Sequence, residues 1–244
     1  MKINRRQFVR NLGLGTASLS MGSLISTSSC APSGDSRDKR GKVSDDDQFL
    51  FIGDDIAIAQ TEYGKVQGYL LNHVYTFLGV PYGADTSGKN RFMPPQKPEP
   101  WTDVRPAVFY GNTAPQRMEN RWPNNYGTFA DHWNYWDVSE DCLYLNVWTP
   151  GIADGKKRPV LVWLHGGGFT NGSGIEQDGY HGENISREGN IVFCSINHRL
   201  GPIGFSDLSG VGGEAYKDSG NVGMLDIIAA LRWVHDNIAN FGGD

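Results

Sequence analysis

The stretch that most constrains the fold of this chain is VLVWLHGGGFTNG at residues 160–172, in which five apolar residues run directly into three glycines. The apolar run has no polar alternation, and this pattern is typical of a strand covered on both faces of a sheet. Glycine removes every side chain at the exit of the strand, so the backbone can take positive φ and approach a ligand closely. We predict a buried strand followed by a loop that presents N–H groups, with a flexible turn as the alternative.

A second apolar run and a helix follow this loop. Residues 191–196 are predicted to form another strand, and residues 223–241 a helix that Asn221 caps and Gly242 ends. The helix is expected to bury one apolar stripe, formed by Met224, Ile227, Ile228, Leu231, Val234, His235, Ile238 and Phe241. Strand, glycine loop, strand and helix is the order of an α/β fold. Ligands of such sheets lie beyond the carboxyl ends of the strands, where the glycine triplet is placed.

The region before these strands divides into two parts. Short β-rich runs over residues 57–83, broken at residues 63–64 and 71–73, predict an antiparallel meander at a sheet edge. Residues 89–115 are rich in proline and glycine, so we expect irregular structure there.

The N-terminus has the composition of a targeting segment. Residues 1–10 are basic and residues 11–25 weakly apolar, the arrangement of a secretory signal rather than of a membrane span. NRRQFVR resembles the twin-arginine export motif. STSSC ends at Cys30 like a loose lipobox, which leaves two alternatives: a lipid anchor at Cys30, or simple cleavage nearby. We therefore predict a signal peptide over residues 1–30 and a disordered linker over residues 31–48.

Charge narrows the choice of partner. The chain of 244 residues has a formal net charge of −5 and is 39% apolar, which suits a soluble globular domain. The first thirty residues contain four basic and no acidic side chains, so the rest of the chain carries −9 once these four positive charges are removed. An acidic body argues against a nucleic-acid partner. No zinc-ligand spacing occurs, and no cofactor or metal is predicted.

Several motifs, taken together, resemble a known family. HGGG at residues 165–168 matches the loop that gives α/β-hydrolases part of their oxyanion hole. EDCLYLNVWTP at residues 140–150 resembles the signature of the type-B carboxylesterase and cholinesterase family. The same family order is followed by FLGVPYG with RFMPP, by INHRLGPIGF, and by GNVGMLDIIAALRWVHDNIANFGGD. The resemblance runs from about Ile56 to Asp244 and implies an α/β-hydrolase fold with an incomplete mixed sheet, within a carboxylesterase domain over residues 49–244.

This resemblance also implies a chemistry. Gly167 and Gly168 would donate N–H groups to the oxyanion of a small carboxylic ester. Phe169 would contact substrate, and Trp133 and Trp136 would line the pocket unless they only cover the sheet. The implied protein is an exported serine ester hydrolase. The alternatives are a non-catalytic binding member of the same fold, which is a different class of function, and an inactive truncated product.

The rest of the catalytic machinery is expected elsewhere. In the family the G-x-S-x-G nucleophile follows the FGGD helix, so the serine, the acid and the base are expected beyond Asp244. We therefore expect the 244-residue chain alone to be inactive and to fold poorly, with an apolar sheet edge exposed. Ser195, His198 and Asp207 are not expected to form a triad, because Ser195 lies within an apolar strand and His198 stands where the family has tyrosine. His165 is interpreted as a loop organiser bonded to the backbone.

Two further expectations concern the scaffold. The resemblance implies ion pairs between Arg91 and Glu140 and between Arg199 and Asp226. Members of the family usually pair the cysteine of EDCLYL with one upstream, but NTAPQRMEN at residues 112–120 has none. We therefore expect no disulfide at Cys142 or at the buried Cys194.

Overall fold

A computed structural model describes residues 49–117 and 137–244. The described residues belong to one compact unit, Gln48–Asp244. The predictions of a signal peptide, of a lipid anchor at Cys30, of a linker, and of substrate contacts at Trp133 and Trp136 lie outside the described residues.

Two β-sheets form the framework. The larger has six strands in the order β1-β4-β5-β7-β9-β8, and the smaller has three in the order β2-β3-β6. In the larger sheet β8 and β9 are parallel and all other neighbours are antiparallel, so the predicted mixed sheet is confirmed. The strands are β1 (Leu50–Phe51), β2 (Ile58–Gln60), β3 (Lys65–Gln67), β4 (Tyr69–Leu71), β5 (Val74–Pro81), β6 (Arg105–Pro106), β7 (Tyr144–Thr149), β8 (Val160–Leu164) and β9 (Val192–Ile196).

The two predicted apolar strands exist, but their environments differ. β8 has the predicted bounds, and β9 begins one residue later than expected. β9 lies between β7 and β8 and is buried along its whole length. β8 is an edge strand among the described residues, and Leu161 and Leu164 are 37% and 45% exposed. The prediction that β8 is covered on both faces is wrong here, because a strand with one neighbour leaves side chains near its open edge unenclosed.

The predicted meander is divided between the sheets. Its turns fall at the predicted breaks, and β2–β3 and β4–β5 are antiparallel hairpins. However, β3 belongs to the small sheet and β4 to the large one, so the prediction of one continuous meander is wrong. The chain changes sheets at Gly68, a residue type that weakens a strand interior. Residues 89–115 are largely irregular, as predicted.

The described helices are short apart from one. They are α1 (Glu183–Gly189), α2 (Gly201–Phe205), α3 (Ser209–Gly212) and α4 (Val222–Asn237), and a 3-10 turn over Ile238–Phe241 extends α4. The predicted helix and its stop are confirmed, since Gly242 ends the turn in the left-handed region at φ 77°. Asn221 precedes α4 as predicted, although its side chain makes no capping hydrogen bond.

The buried stripe of α4 is only partly the predicted one. Ile227, Val234, Ile238 and Phe241 are buried, whereas Ile228 and Leu231 are 41% and 43% exposed. The predicted His235 is also exposed. Ala230, Trp233 and the charged Asp226 occupy the buried face as well. Apolar side chains of α4 lie on most of its circumference. Hydrophobicity alone therefore does not determine which face of the helix is buried.

Side-chain alternation sorts the core into two layers. The larger cluster lies between the sheet and α4, where the rings of Phe77 and Phe241 meet edge to face at 4.9 Å between centroids. The smaller cluster, on the opposite face, contains Val74, Trp148 and Phe193. Both layers support the sheet whose edge strand β8 carries the loop described next.

Candidate active-site loop

The glycine triplet lies at the carboxyl edge of two parallel strands. In the β8–β9 register Leu164 is opposite Ile196, so the chain leaves both strands at the same edge of the sheet. His165 opens the loop after β8, and Asn197 opens the segment after β9. The structure thus places the loop where ligands of α/β sheets lie, as the sequence predicts.

Three consecutive residues of the loop take positive φ. Gly167, Gly168 and Phe169 have φ values of 115°, 60° and 62°. A Cβ at Gly167 would collide with the carbonyl oxygen of Asn171, whereas a Cβ at Gly168 would meet nothing within 4 Å. Glycine at 167 is therefore required by contact and conformation, and at 168 by conformation alone. Phe169 holds a left-handed conformation that costs about 1–3 kcal/mol, and such a conformation persists only where contacts with the surrounding structure offset that cost.

Hydrogen bonds fix the loop around its glycines. The carbonyl of Gly167 accepts from Thr170 N at 3.1 Å, from Thr170 Oγ1 at 2.9 Å and from Asn171 N at 3.3 Å. The carbonyl of Phe169 accepts from Gly201 N at 2.7 Å, which joins the loop to the start of α2. The carbonyls of Gly167 and Phe169 are thus held by hydrogen bonds within the protein.

The N–H groups of the loop behave differently. Within residues 49–117 and 137–244, neither the N–H of Gly167 nor that of Gly168 donates to another protein group, and both residues are exposed. Backbone donors normally find a partner in protein or in water. Two open donors on an anchored loop form an arrangement suited to receiving an oxygen that gains negative charge.

His165 organises the loop through the backbone, as predicted. Its Nδ1 lies 2.8 Å from the carbonyl oxygen of Gly166, and because a carbonyl only accepts, Nδ1 carries the hydrogen. The His165 ring stacks on the ring of His198 at 4.9 Å between centroids and 12° between planes. His198 is 3% exposed, and burial lowers its pKa, which favours the neutral ring.

Phe169 gives the loop an apolar surface beside the two open N–H groups. Its side chain is 51% exposed, and its ring lies 5.2 Å from that of Phe205 and 6.3 Å from that of His198. One side of the ring is therefore supported by protein while the rest faces solvent. That position is compatible with the predicted substrate contact.

Two polar residues that fix the loop were not singled out from the sequence. Gln116 pairs with the backbone of Gly172, donating to its carbonyl at 2.9 Å and accepting from its N–H at 2.8 Å. Asn197 accepts from Gly174 N at 2.8 Å. Asn197 directly follows a buried strand, and a polar residue at that position could have been recognised from the sequence as a candidate for the site. No local pattern marks Gln116.

Ser195, His198 and Asp207 do not form a catalytic triad, as predicted, because each has other hydrogen-bond partners. Ser195 is fully buried, and its Oγ accepts from Asn146 Nδ2 at 3.1 Å. Asp207 accepts from the N–H and hydroxyl of Ser209, bonds that lower its pKa. His198 Nδ1 faces the carbonyl oxygen of Arg199 at 2.9 Å. These partners leave no hydrogen-bonded relay among the three residues.

Both predicted ion pairs are present. Arg199 binds Asp226 through two hydrogen bonds of 2.8 and 2.6 Å, and both side chains are 0% exposed. Arg91 binds Glu140 through two hydrogen bonds of 2.6 and 2.8 Å, with side chains 48% and 16% exposed. Arg199, of the buried pair, directly follows His198 in the sequence.

Other reactive groups of the described chain are inert or dispersed. Cys142 and Cys194 are free and buried, and burial raises the pKa of Cys194 to about 12. No group of three histidine, cysteine, aspartate or glutamate side chains suited to a metal ion occurs in the two described ranges. No helix within those ranges has the length and apolar content needed to cross a membrane.

Comparison with known proteins identifies the family. Residues 55–244 match the carboxylesterase family, and the chain belongs to it. The chain is 42% identical over 190 residues to the para-nitrobenzyl esterase of Bacillus subtilis, and this match covers 77% of the chain and 36% of that protein. It is 44% identical over 187 residues to the phenmedipham hydrolase of Pseudarthrobacter oxydans, covering 77% of the chain and 35% of that protein.

Solved structures confirm the α/β-hydrolase fold. An esterase from Clostridium hathewayi superimposes with a TM-score of 0.73 at 40% identity, covering 81% of this chain and 38% of the esterase. A carboxylesterase from Geobacillus stearothermophilus gives a TM-score of 0.67 at 41% identity, covering 77% of this chain and 36% of that enzyme. The chain thus spans somewhat more than a third of the length of these relatives.

Proposed function

We propose that this chain supplies the oxyanion hole of a serine carboxylic ester hydrolase. The observation that carries the proposal is the pair of open N–H groups at Gly167 and Gly168, on a loop whose carbonyls are tied to the protein. When a nucleophile attacks an ester carbonyl, negative charge develops on the oxygen. Fixed donors stabilise that charge more than the neutral carbonyl, and this difference lowers the barrier.

The attacking groups belong to the part of the family sequence that follows the segment matched here. By resemblance, a serine in G-x-S-x-G attacks the ester and a histidine takes the proton of the serine. The alcohol leaves, and water then hydrolyses the acyl-enzyme. In this scheme the loop contributes two of the oxyanion donors and no proton transfer.

The proposed substrate is a small carboxylic ester. Two relatives are named as a para-nitrobenzyl esterase and a phenmedipham hydrolase, names that point to aromatic substrates of those proteins. In this chain the exposed ring of Phe169 lies beside the donors and would contact the acyl or alcohol group. Trp133 and Trp136 are proposed to line the substrate pocket.

We also propose export. Arg5 and Arg6 would direct the folded protein to the twin-arginine pathway, and Cys30 would carry a lipid. Replacing both arginines with lysine is expected to leave the protein in the cytoplasm, measured by fractionation. Unchanged export would contradict the pathway, and an unmodified mass at Cys30 would contradict the anchor.

The central experiment uses the protein expressed from the whole reading frame that encodes this chain, called the gene product below. Gly168→Ala is expected to lower kcat/KM on para-nitrophenyl acetate about a hundredfold, since a misplacement near 1 Å at the reacting centre costs that much. Gly155→Ala is the matched control, because Gly155 also has a left-handed φ of 68° and open space for a Cβ. Equal activity in the two variants would contradict the assignment.

Two further results bear on the proposal. A gene product that folds but hydrolyses no ester would overturn it and favour a binding member of the fold. A chimera in which residues 55–244 replace the matched segment of the Bacillus subtilis para-nitrobenzyl esterase offers a second measurement. We expect the chimera to hydrolyse para-nitrophenyl acetate and to lose activity on Gly168→Ala but not on Gly155→Ala.

A further inference from the structure

The ring of His198 contacts both residues that flank the glycines of the loop. On one side it stacks on His165 at 4.9 Å with planes 12° apart. It also meets the ring of Phe169, at 6.3 Å between centroids and 61° between planes. His165 precedes the triplet and Phe169 follows it, so one side chain supports both ends of the segment that presents the N–H groups.

The support beneath His198 is itself fixed. The ring is 3% exposed, and Nδ1 donates to the carbonyl oxygen of Arg199 at 2.9 Å, which sets the ring plane. Both the main-chain N–H and the guanidinium of Arg199 bind the buried Asp226. A continuous series of contacts therefore leads from α4 through Arg199 and His198 to the loop.

Phe169 is the residue of the loop whose conformation most needs support from its neighbours. Phe169 has a φ of 62°, a left-handed value that side-chain-bearing residues hold only when neighbours enforce it. The bond from Gly201 N to the Phe169 carbonyl fixes the backbone on one side only. The ring of His198 adds contacts with both flanking side chains.

We infer that His198 is a positioning residue, whose ring holds His165 and Phe169 so that the N–H groups of Gly167 and Gly168 point at one oxygen position. The inference rests on the proposed oxyanion function. In this scheme His198 transfers no proton. It acts only through its contacts with His165 and Phe169. Its ring, rather than its basicity, is the property that matters.

The test compares kcat and KM of the gene product and its variants on para-nitrophenyl acetate. His198→Ala is expected to lower kcat about tenfold and to leave KM within about twofold, because donors aligned for the transition state act on kcat. His198→Phe keeps a ring and is expected to restore most of kcat. His198→Asn keeps a polar group without a ring and is expected to resemble His198→Ala.

His181→Ala is the matched control. His181 is less buried than His198, but burial lowers its pKa too, and its ring packs against Trp148 at 5.3 Å instead of against the loop. It is expected to cost similar thermal stability and to leave kcat unchanged. If His198→Ala does not fold, the comparison of His198→Phe with His198→Asn decides.

The possible failures are distinguishable. An active gene product whose kcat is insensitive to His198→Ala or His198→Asn would overturn this inference alone, with Gly168→Ala still reporting on the oxyanion loop. Equal losses in His198→Phe and His198→Ala would overturn the role of the ring. An inactive gene product would overturn the proposed function and this inference together.

Discussion

The two arginine–carboxylate pairs have nearly identical geometry and opposite surroundings. Each is a two-pronged pair with hydrogen bonds of 2.6 and 2.8 Å. The pair of Arg199 and Asp226 is fully buried, whereas Arg91 keeps 48% of its side chain exposed. Bond lengths alone therefore cannot rank their contributions, and the difference lies in what replaces the water that each charge has lost.

At the buried pair, the protein supplies those replacements. Asp226 Oδ2 also accepts from the main-chain N–H of Arg199 at 3.1 Å, and Arg199 Nη1 donates to the carbonyl of Met93 at 2.8 Å. Removing one partner would strand a charge that water cannot reach. At the surface pair, water solvates whichever partner remains.

The largest expected effect is at Asp226. Asp226→Ala is expected to lower the free energy of unfolding by about 3–5 kcal/mol, because Arg199 is left charged and buried. Urea denaturation of the gene product measures this loss. Asp236→Ala, on the same helix at a half-exposed acid, is the control and should stay within about 0.5 kcal/mol. Similar losses at the two positions would erase the contrast between buried and surface charge.

A double substitution separates a stranded charge from a lost bond. Arg199→Met combined with Asp226→Leu is expected to cost about 2 kcal/mol, less than Asp226→Ala alone, because no charge remains buried. The residual loss arises from the Met93 carbonyl and the Arg199 N–H, which lose their partners. A double variant less stable than the single one in the same urea series would contradict this account.

The surface pair should respond weakly. Glu140→Gln is expected to cost at most about 1 kcal/mol, since an exposed pair gains little in high dielectric and is screened by salt. The difference from wild type should shrink further between low and high salt in thermal unfolding. A loss as large as that of Asp226→Ala would show that exposure does not separate the two pairs.

The smallest expected effect comes from pH at the buried corner. Burial lowers the pKa of His198, while the Arg199 carbonyl and the Asp226 carboxylate oppose that shift. The groups beside the ring are the stacked imidazole of His165, the Arg199 carbonyl and the Asp226 carboxylate. As the pH drops below the ordinary histidine pKa of about 6.5, the unfolded chain takes up the proton before the folded chain does. The free energy of unfolding therefore decreases as the pH decreases. Above that pKa this contribution to stability is fully present.

The measurement is the difference between wild type and His198→Phe in unfolding free energy from pH 7.5 to pH 5. The variant lacks this titration and should lose less stability on acidification. His181, whose pKa is also lowered by burial, is common to both proteins and cancels. Parallel pH curves would indicate that His198 does not discriminate between its two protonation states.

Local sequence patterns predicted the elements that carry the site. The β8 and β9 strands, the glycine loop and the helix with its stop at Gly242 each depend on neighbours in sequence, which is the range over which propensity and periodicity act. The ion pairs came from the family motifs. The burial of β8 was predicted wrongly, because it depends on which strands flank it.

Contacts between distant segments were beyond that reasoning. Gln116 reaches the backbone of Gly172 across 56 residues of sequence, and a glutamine in an irregular stretch gives no sign of such a contact. The stacking of His165 on His198 joins the segments that follow β8 and β9, and neither motif predicts it. The rotation of α4 likewise depends on Asp226, a charge that a hydrophobic stripe does not include.

The bonds of Arg199 also have a consequence in time. Its partners lie 27 residues away at Asp226 and 106 residues away at Met93. Closing these loops of chain costs conformational entropy, and the bonds offset that cost only once the loops are closed. We expect these bonds to form late, after the folding transition state. Interactions absent from the transition state slow unfolding without speeding folding. We therefore expect the corner around Arg199 to act as a kinetic latch that sets the lifetime of the native state.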